Sequence, residues 1–406
     1  MKSELVKTGL FVAVALALVA AASWVQPEAA RPEMLSDEGE PLFPEFRNIS
    51  DVKAIEVVGY DEAQAVARPL KVEFRQGRWI LPSHNDYPAE AAERLDKTAG
   101  ALLNLHKDIV VSDRLEDHAT YGVIDPLDMK VTSLTGRGKR VTLRNGQGEV
   151  LADVVLGKPV PDHPGYRYLR LPGHRRTYAV KTEADPSARF QDWVSGNLLQ
   201  LSSAQIQKVT INSYSIDETF GRLANVHRVV LTKSGKKWTS EGSAKISSSA
   251  IRAAVATLAG IRIVGARPKP ELLARQLRNG RLQMTLETVM SLRQRGFFIT
   301  PAGQLLANEG EMTVETTRGL IYTLKFGEIV RGGTETGIET GAEAGKEAEP
   351  VKQDRYLLVM VHARSGGANA SGNSSAERLA RSLNRRFADW YYVISGADFA
   401  KLRLAK

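Results

Sequence analysis

The sequence predicts an α+β fold in which an N-terminal transmembrane helix precedes two homologous domains, each a mainly antiparallel β-sheet packed by one main amphipathic helix. Three observations predict it. An uncharged apolar run occupies residues 8–25. A block opening near Lys53 returns in the same order from near Gln207, and each copy alternates apolar and polar residues before switching to helical spacing. The repeat is also far longer than the roughly 20–50 residues of units that must stack to bury a face, so each copy reads as a domain.

The first element is the apolar run. Lys2 and Lys7 precede it, Trp24 closes it, and an acidic stretch follows. A membrane helix needs about 17–25 residues, and positive flanks stay cytoplasmic. Residues 1–25 therefore read as a single-pass anchor in a bacterial inner membrane, N-terminus inside and the bulk of the chain periplasmic. A cleaved signal peptide, with Ala20-Ala21-Ala22 as its small-residue site, is the competing reading and exports the same body. Residues 26–50 carry Pro27, Pro32, Pro41 and Pro44 among six acidic residues, a composition that predicts an extended tether.

Residues 51–203 form the first repeat. Ile55/Val57 and Val72/Phe74 predict strands, with a turn at Gly77 leading to Trp79. Pro88 suits the first position of a helix, along which Leu95, Ala99, Leu102 and His106 share one face. A Gly-to-Pro loop, Tyr121-Gly122 to Pro126, precedes further strands through Val141–Leu143, Val154–Gly157, Tyr166–Leu171 and Thr177–Val180. Residues 204–406 repeat this order. Val209/Ile211, Val229/Leu231 and Gly235 before Trp238 answer the first strands, Ile251, Ala254, Val255 and Leu258 the helix, Gly296 to Pro301 the loop, and Gly327 stands where Gly157 stood. Two insertions near 331–352 and 364–375, rich in Gly, Glu, Thr and Ser, predict disordered loops, followed by a basic helix over Ala376–Trp390.

The ordered set of Ile55 and Val57, Gly77 and Trp79, Pro88-Ala89 with Leu102-Leu103, Tyr121-Gly122 with Pro126, and Leu156-Gly157 with Tyr166 and Tyr168 resembles the bacterial domain of unknown function 4340 (DUF4340). The resemblance is fuller over Asp51–Val180 than from Ile206 onward. It implies a membrane-anchored extracytoplasmic protein, often found with ABC-type export systems of the gliding-motility kind. It implies no catalytic residues.

The residues themselves supply little chemistry. The chain has no cysteine, which removes thiolate catalysis and Cys-ligated zinc. Its seven histidines include no His-x-x-x-His or Glu-x-x-His pair, and no phosphate loop or Gly-x-Ser-x-Gly elbow is present. A net charge of +9 is spread without the dense tract that nucleic acid would call for, so no nucleic-acid partner is expected. Two patterns remain. Arg167, Arg170, His174, Arg175 and Arg176 surround the Pro172-Gly173 hairpin and are the candidates for binding an anionic surface, against the alternative of a solvated strand face. Asp113, Glu116, Asp117 and Asp125 are an acidic group that a hydrolase could use, against solvated loop charge. Trp79 and Trp238 read as packing anchors before ligand platforms. The expectation is a non-enzymatic accessory or scaffold module of a membrane complex, without cofactor or metal, with protein partners in the envelope. A carbohydrate- or lipid-binding module is the alternative, and an envelope hydrolase a further one.

Overall fold

The computed structural model describes residues 37–90, 92–217, 222–242, 246–279, 282–300, 303–330, 353–364 and 370–404. The expected anchor and the first part of the expected tether lie outside them. No helix among the described residues is long and apolar enough to cross a membrane. From Asp37 onward the tether reading fails. Gly39 N–H donates to Lys107 O at 2.8 Å and Leu42 N–H to Leu105 O at 2.8 Å, and Leu42 and Phe46 are buried in the core. Average composition hid this because the three apolar residues Leu42, Phe43 and Phe46 are interleaved with Pro41, Pro44 and acidic residues; Leu42 and Phe46 are the two that bury apolar surface on the sheet.

Nine strands build the first sheet: β1 (Ala54–Asp61), β2 (Val66–Arg75), β3 (Arg78–Leu81), β4 (Tyr87–Pro88), β5 (Ile109–Ser112), β6 (Lys139–Arg144), β7 (Val150–Pro159), β8 (Tyr166–Arg170) and β9 (Thr177–Lys181). Their order is β4-β3-β2-β1-β6-β7-β8-β9-β5, with every pairing antiparallel. The predicted alternation sets the register: Ile55 faces Val72 and Val57 faces Leu70, all four buried. Helix α1 (Ala92–Leu103) lays Leu95, Ala99 and Leu102 on that face. Two details differ from expectation. Pro88 is not the first helical residue but closes β4, the sheet edge, where its missing N–H costs no ladder bond. The helix also stops at Leu103, so His106 is exposed and Leu105 takes the buried place. A short helix α2 (His118–Tyr121) leads into the Gly122 loop.

The second sheet contains β10 (Ile206–Asp217), β11 (Arg222–Ser234), β12 (Lys237–Gly242), β13 (Ile263–Pro268), β16 (Glu311–Thr316), β17 (Leu320–Ile329), β18 (Arg355–Ala363) and β19 (Trp390–Ile394), in the order β12-β11-β10-β16-β17-β18-β19-β13. Strand for strand this is the first order without β4: three meander strands, a helix (α3, Ser248–Ala259), an edge strand reserved for the last partner, then four more strands. Helices α4 (Glu271–Arg278) and α5 (Leu286–Arg293) and the small hairpin of β14 (Phe297–Ile299) and β15 (Leu305–Ala307) form a satellite cluster, with Leu273, Leu292 and Phe297 buried against Leu358 and Tyr391.

Where β18 meets β19, a long helix α6 (Ala370–Ala388) replaces the first sheet's short turn; α7 (Gly396–Leu402) ends the fold. The loop expected over 364–375 thus gives way to helix at Ala370. Leu383 and Phe387 anchor the helix in the core, and propagation toward the N-terminus from an anchored turn costs far less than nucleation.

The matching loops share one device. A Cβ on Gly157 would lie 2.5 Å from the carbonyl oxygen of Tyr121, and one on Gly327 would strike that of Arg295. Each glycine lets the end of β7 or β17 pass directly beneath a loop whose own glycine, Gly122 or Gly296, takes φ of +71° or +77°.

The two sheets do not keep separate cores. Residues of both, from Ile55 and Leu102 to Val255 and Tyr392, belong to one continuous apolar cluster. Tyr87 at the end of the first sheet packs edge-on against Trp390 of the second, with centroids 4.9 Å apart, and against Phe190 at 5.7 Å. Leu198 N–H donates to Ile261 O at 3.1 Å across the same seam.

Candidate functional site

The cationic hairpin between β8 and β9 turns most of its charge inward. Arg170 is buried, donating from Nε to Val123 O at 2.9 Å and from Nη1 to His174 O at 2.8 Å, and burial pulls its pKa down. Arg167 reaches Gly157 O (2.9 Å) and Ala184 O (3.2 Å). Arg176 forks onto Asp113, with Nε to Oδ1 at 2.7 Å and Nη2 to Oδ2 at 3.0 Å, and extends Nη1 to Asp37 at 3.0 Å; these carboxylates, Asp113 foremost, raise its pKa. His174 and Arg175 are the two exposed members. Arg175 also serves through its backbone, its carbonyl accepting from Nε2 of buried His118 at 2.7 Å. Burial lowers the pKa of His118. Five basic residues close in sequence are thus three structural clamps and two surface groups.

The four candidate acids each have a partner. Asp113 is held by Arg176, which depresses its pKa. Asp117 accepts from Ser112 Oγ at 2.6 Å, and Glu116 lies 3.7 Å from Arg114. Asp125 meets Arg140 at 3.0 Å, while Arg140 also binds Asp153 at 2.7 Å. Each carboxylate answers a local partner. Trp79 and Trp238 are half-buried and packed on the core, Trp79 with its ring 5.3 Å from Phe74. Among the described residues, no three His, Asp or Glu side chains are grouped to hold a metal ion.

Sequence reasoning missed three arrangements. Asp37, distant in sequence from all its partners, accepts from Tyr178 Oη at 2.6 Å and from Arg176, and pairs with Lys107 at 2.9 Å. Burial would raise its pKa, but these three donors hold it down at about 2. Arg137 threads its guanidinium into the loop it follows, donating to the carbonyls of Asp125, Asp128, Val131 and Ser133, with its face 4.8 Å from Tyr60. Lys269, between two prolines, is buried and donates to Phe387 O at 3.0 Å and to Trp390 O, with Nζ 5.0 Å from the Tyr391 ring. None of the three left a distinctive signal in sequence; Lys269 follows Arg262 and Arg267 and reads as one more surface cation.

A shallow depression at the end of the second sheet is lined by Asn212, Glu309, Glu311 and Arg403 among apolar residues. Glu309 is gripped by Arg355 and Arg403, both at 3.0 Å, and Glu311 by Lys325. Its charges are already compensated, which leaves little with which to bind a charged ligand.

Residues 79–279 match the family model "Domain of unknown function (DUF4340)". This supports the family to which the sequence motifs pointed. The match runs from β3 of the first sheet to the end of α4, across the boundary near residue 203, so the DUF4340 region takes in parts of both sheets rather than one repeat. No curated protein and no solved structure matches the chain.

Proposed function

We propose that the chain is a non-enzymatic scaffold or accessory module of a membrane complex, built by internal duplication, held to the inner membrane by residues 1–25, and displaying its two sheets in the periplasm. The observation that carries this reading is the shared strand order of two sheets closed around one core, with the candidate cations and acids largely consumed in internal pairs. A chain organised this way offers surfaces of fixed relative position. Association with an ABC-type export system follows from the DUF4340 resemblance.

Two experiments test it. Because the chain has no cysteine, Lys236→Cys at the exposed β11–β12 turn gives a single thiol. A membrane-impermeant maleimide labels it in cells with a permeabilised outer membrane and an intact inner one; labelling only after inner-membrane lysis overturns the topology. Photo-crosslinking of the chain in its native membrane then captures a defined membrane-protein partner, and recovery of bulk lipid alone overturns the scaffold role.

A further inference from the structure

Helix α6 is an addition to the second sheet, standing where the first sheet has only the Leu171–Arg176 turn. It is tightly held. Asn384 brackets the backbone of Val361 with two hydrogen bonds (2.9 and 2.6 Å), Lys269 caps the carbonyl of Phe387 at the last turn, Arg278 pairs with Asp389 just beyond it, and Arg386 reaches Glu90 of the first sheet's side at 3.5 Å. Ala380, Leu383 and Phe387 are spent on the core. On the opposite side Arg378, Arg381 and Arg385 are exposed, and none of them meets a carboxylate among the described residues. Spacing of three and four residues puts them on one face, spread over about 10 Å of helix axis. Eight arginines elsewhere, Arg68, Arg75, Arg140, Arg176, Arg189, Arg355, Arg364 and Arg403, do have acidic partners, while others such as Arg47, Arg78, Arg175 and Arg252 are exposed singly; on α6 three exposed arginines share one helix face.

We infer that this arginine face of α6 is a docking surface for an acidic helical segment of a partner protein, with carboxylates about one turn apart. The inference deepens the scaffold reading and rests on it. Guanidinium groups fixed at helical intervals match carboxylates at helical intervals in the reversed order i, i+4, i+7, and forked pairing rewards that geometry. A bilayer fits less well. An interfacial helix needs its apolar face free to enter the headgroups, and here that face is buried against the sheet. Nucleic acid fits less well too, since three phosphate contacts without any reading of base edges supply only weak, salt-sensitive attachment.

The test uses the full chain and three probes: a stapled 15-residue helical peptide with glutamates at i, i+4 and i+7, vesicles of phosphatidylglycerol and phosphatidylcholine, and a duplex DNA. The peptide binds the wild type about tenfold more tightly than the triple variant Arg378→Glu/Arg381→Glu/Arg385→Glu. A peptide with lysines at the same positions restores binding to that variant. Arg378→Gln/Arg381→Gln/Arg385→Gln serves as the milder loss should the reversal disturb folding, and His174→Glu/Arg175→Glu, on the other sheet, leaves peptide affinity unchanged. Equal peptide binding by wild type and both triple variants overturns the inference, as does tighter arginine-dependent binding of vesicles or duplex than of the peptide. Either outcome leaves the scaffold reading intact, because the membrane crosslinking experiment decides that one independently.

Discussion

Replacing Lys269 by Met removes the one ammonium group buried between α4 and the end of α6, and its effect depends on pH with a definite sign. Burial pushes the Lys269 pKa from 10.5 down to about 7, even with the Asp389 charge pulling the other way. A group whose folded pKa is depressed contributes stability that is fully present above its unfolded pKa and lost as pH falls through the folded one. Wild-type stability relative to Lys269→Met therefore climbs as pH rises from about 7 toward 10.5. At about 1.4 kcal/mol per pH unit the total is bounded near 5 kcal/mol. The carbonyls of Phe387 and Trp390 and the Tyr391 ring stabilise the charged form and reduce that figure. The upper end of the window has to be avoided. Tyr87, Tyr178, Tyr214, Tyr322 and Tyr391 are each pushed by burial from 10 to about 12, and their stabilisation fades as pH passes through that range. Urea denaturation of both proteins at pH 7.5, 8.5 and 9.5 thus isolates the lysine, and the wild-type minus variant difference rises by about 1–3 kcal/mol across the series. Parallel curves would refute the reasoning by showing that Lys269 keeps its proton when folded.

Gly157→Ala and Gly327→Ala each lose about 1–3 kcal/mol in denaturant titrations, since a backbone carbonyl cannot yield as a side chain can, whereas Gly146→Ala, whose new methyl meets only Lys53 Cγ at 3.6 Å, is nearly neutral. Asp37→Asn weakens the clasp on Tyr178, Lys107 and Arg176 by about 1–2 kcal/mol and speeds proteolysis within residues 37–46; in the wild type the Asp37 contribution is present above pH 3.8 and disappears as pH falls through about 2. Arg137→Lys keeps the charge but cannot span four carbonyls, so amide exchange in residues 124–136 accelerates while the rest of the first sheet is unaffected. Expressed alone, residues 37–203 lose the Trp390 contact on Tyr87 and expose that edge of the shared core, and they bind a hydrophobic dye that the full chain does not.

The parts of this fold that could be read in advance are those governed by local periodicity. Alternation marked Ile55/Val57 and Val72/Phe74 as strands, helical spacing gave the buried face of α3, and the order of the repeat matched Gly327 to Gly157, whose close approaches only the fold reveals. What escaped depends on contacts without local trace. Asp37 meets Tyr178 from 141 residues away, Arg170 turns inward because Val123 O is there to receive it, and the docking of Leu42 and Phe46 needs a sheet already formed. The basic cluster around Pro172-Gly173 shows the difficulty sharply: spacing along the chain located five basic residues but could not tell which carbonyls lay beneath them.

The common strand order also explains where the two halves are free to differ. Strands β1, β2 and β6 to β9, like β10, β11 and β16 to β19, are fixed by the cross-strand pairs of the shared core, and a change there propagates into both sheets. The connections are not so bound. The turn from β8 to β9 closes on itself through Arg170, whereas the corresponding stretch from β18 to β19 holds a 19-residue helix. A long helix added to a finished sheet buries apolar surface only on its inner side. Its outer side is answerable to whatever lies beyond the molecule, and on α6 that side carries three arginines without acidic partners among the described residues.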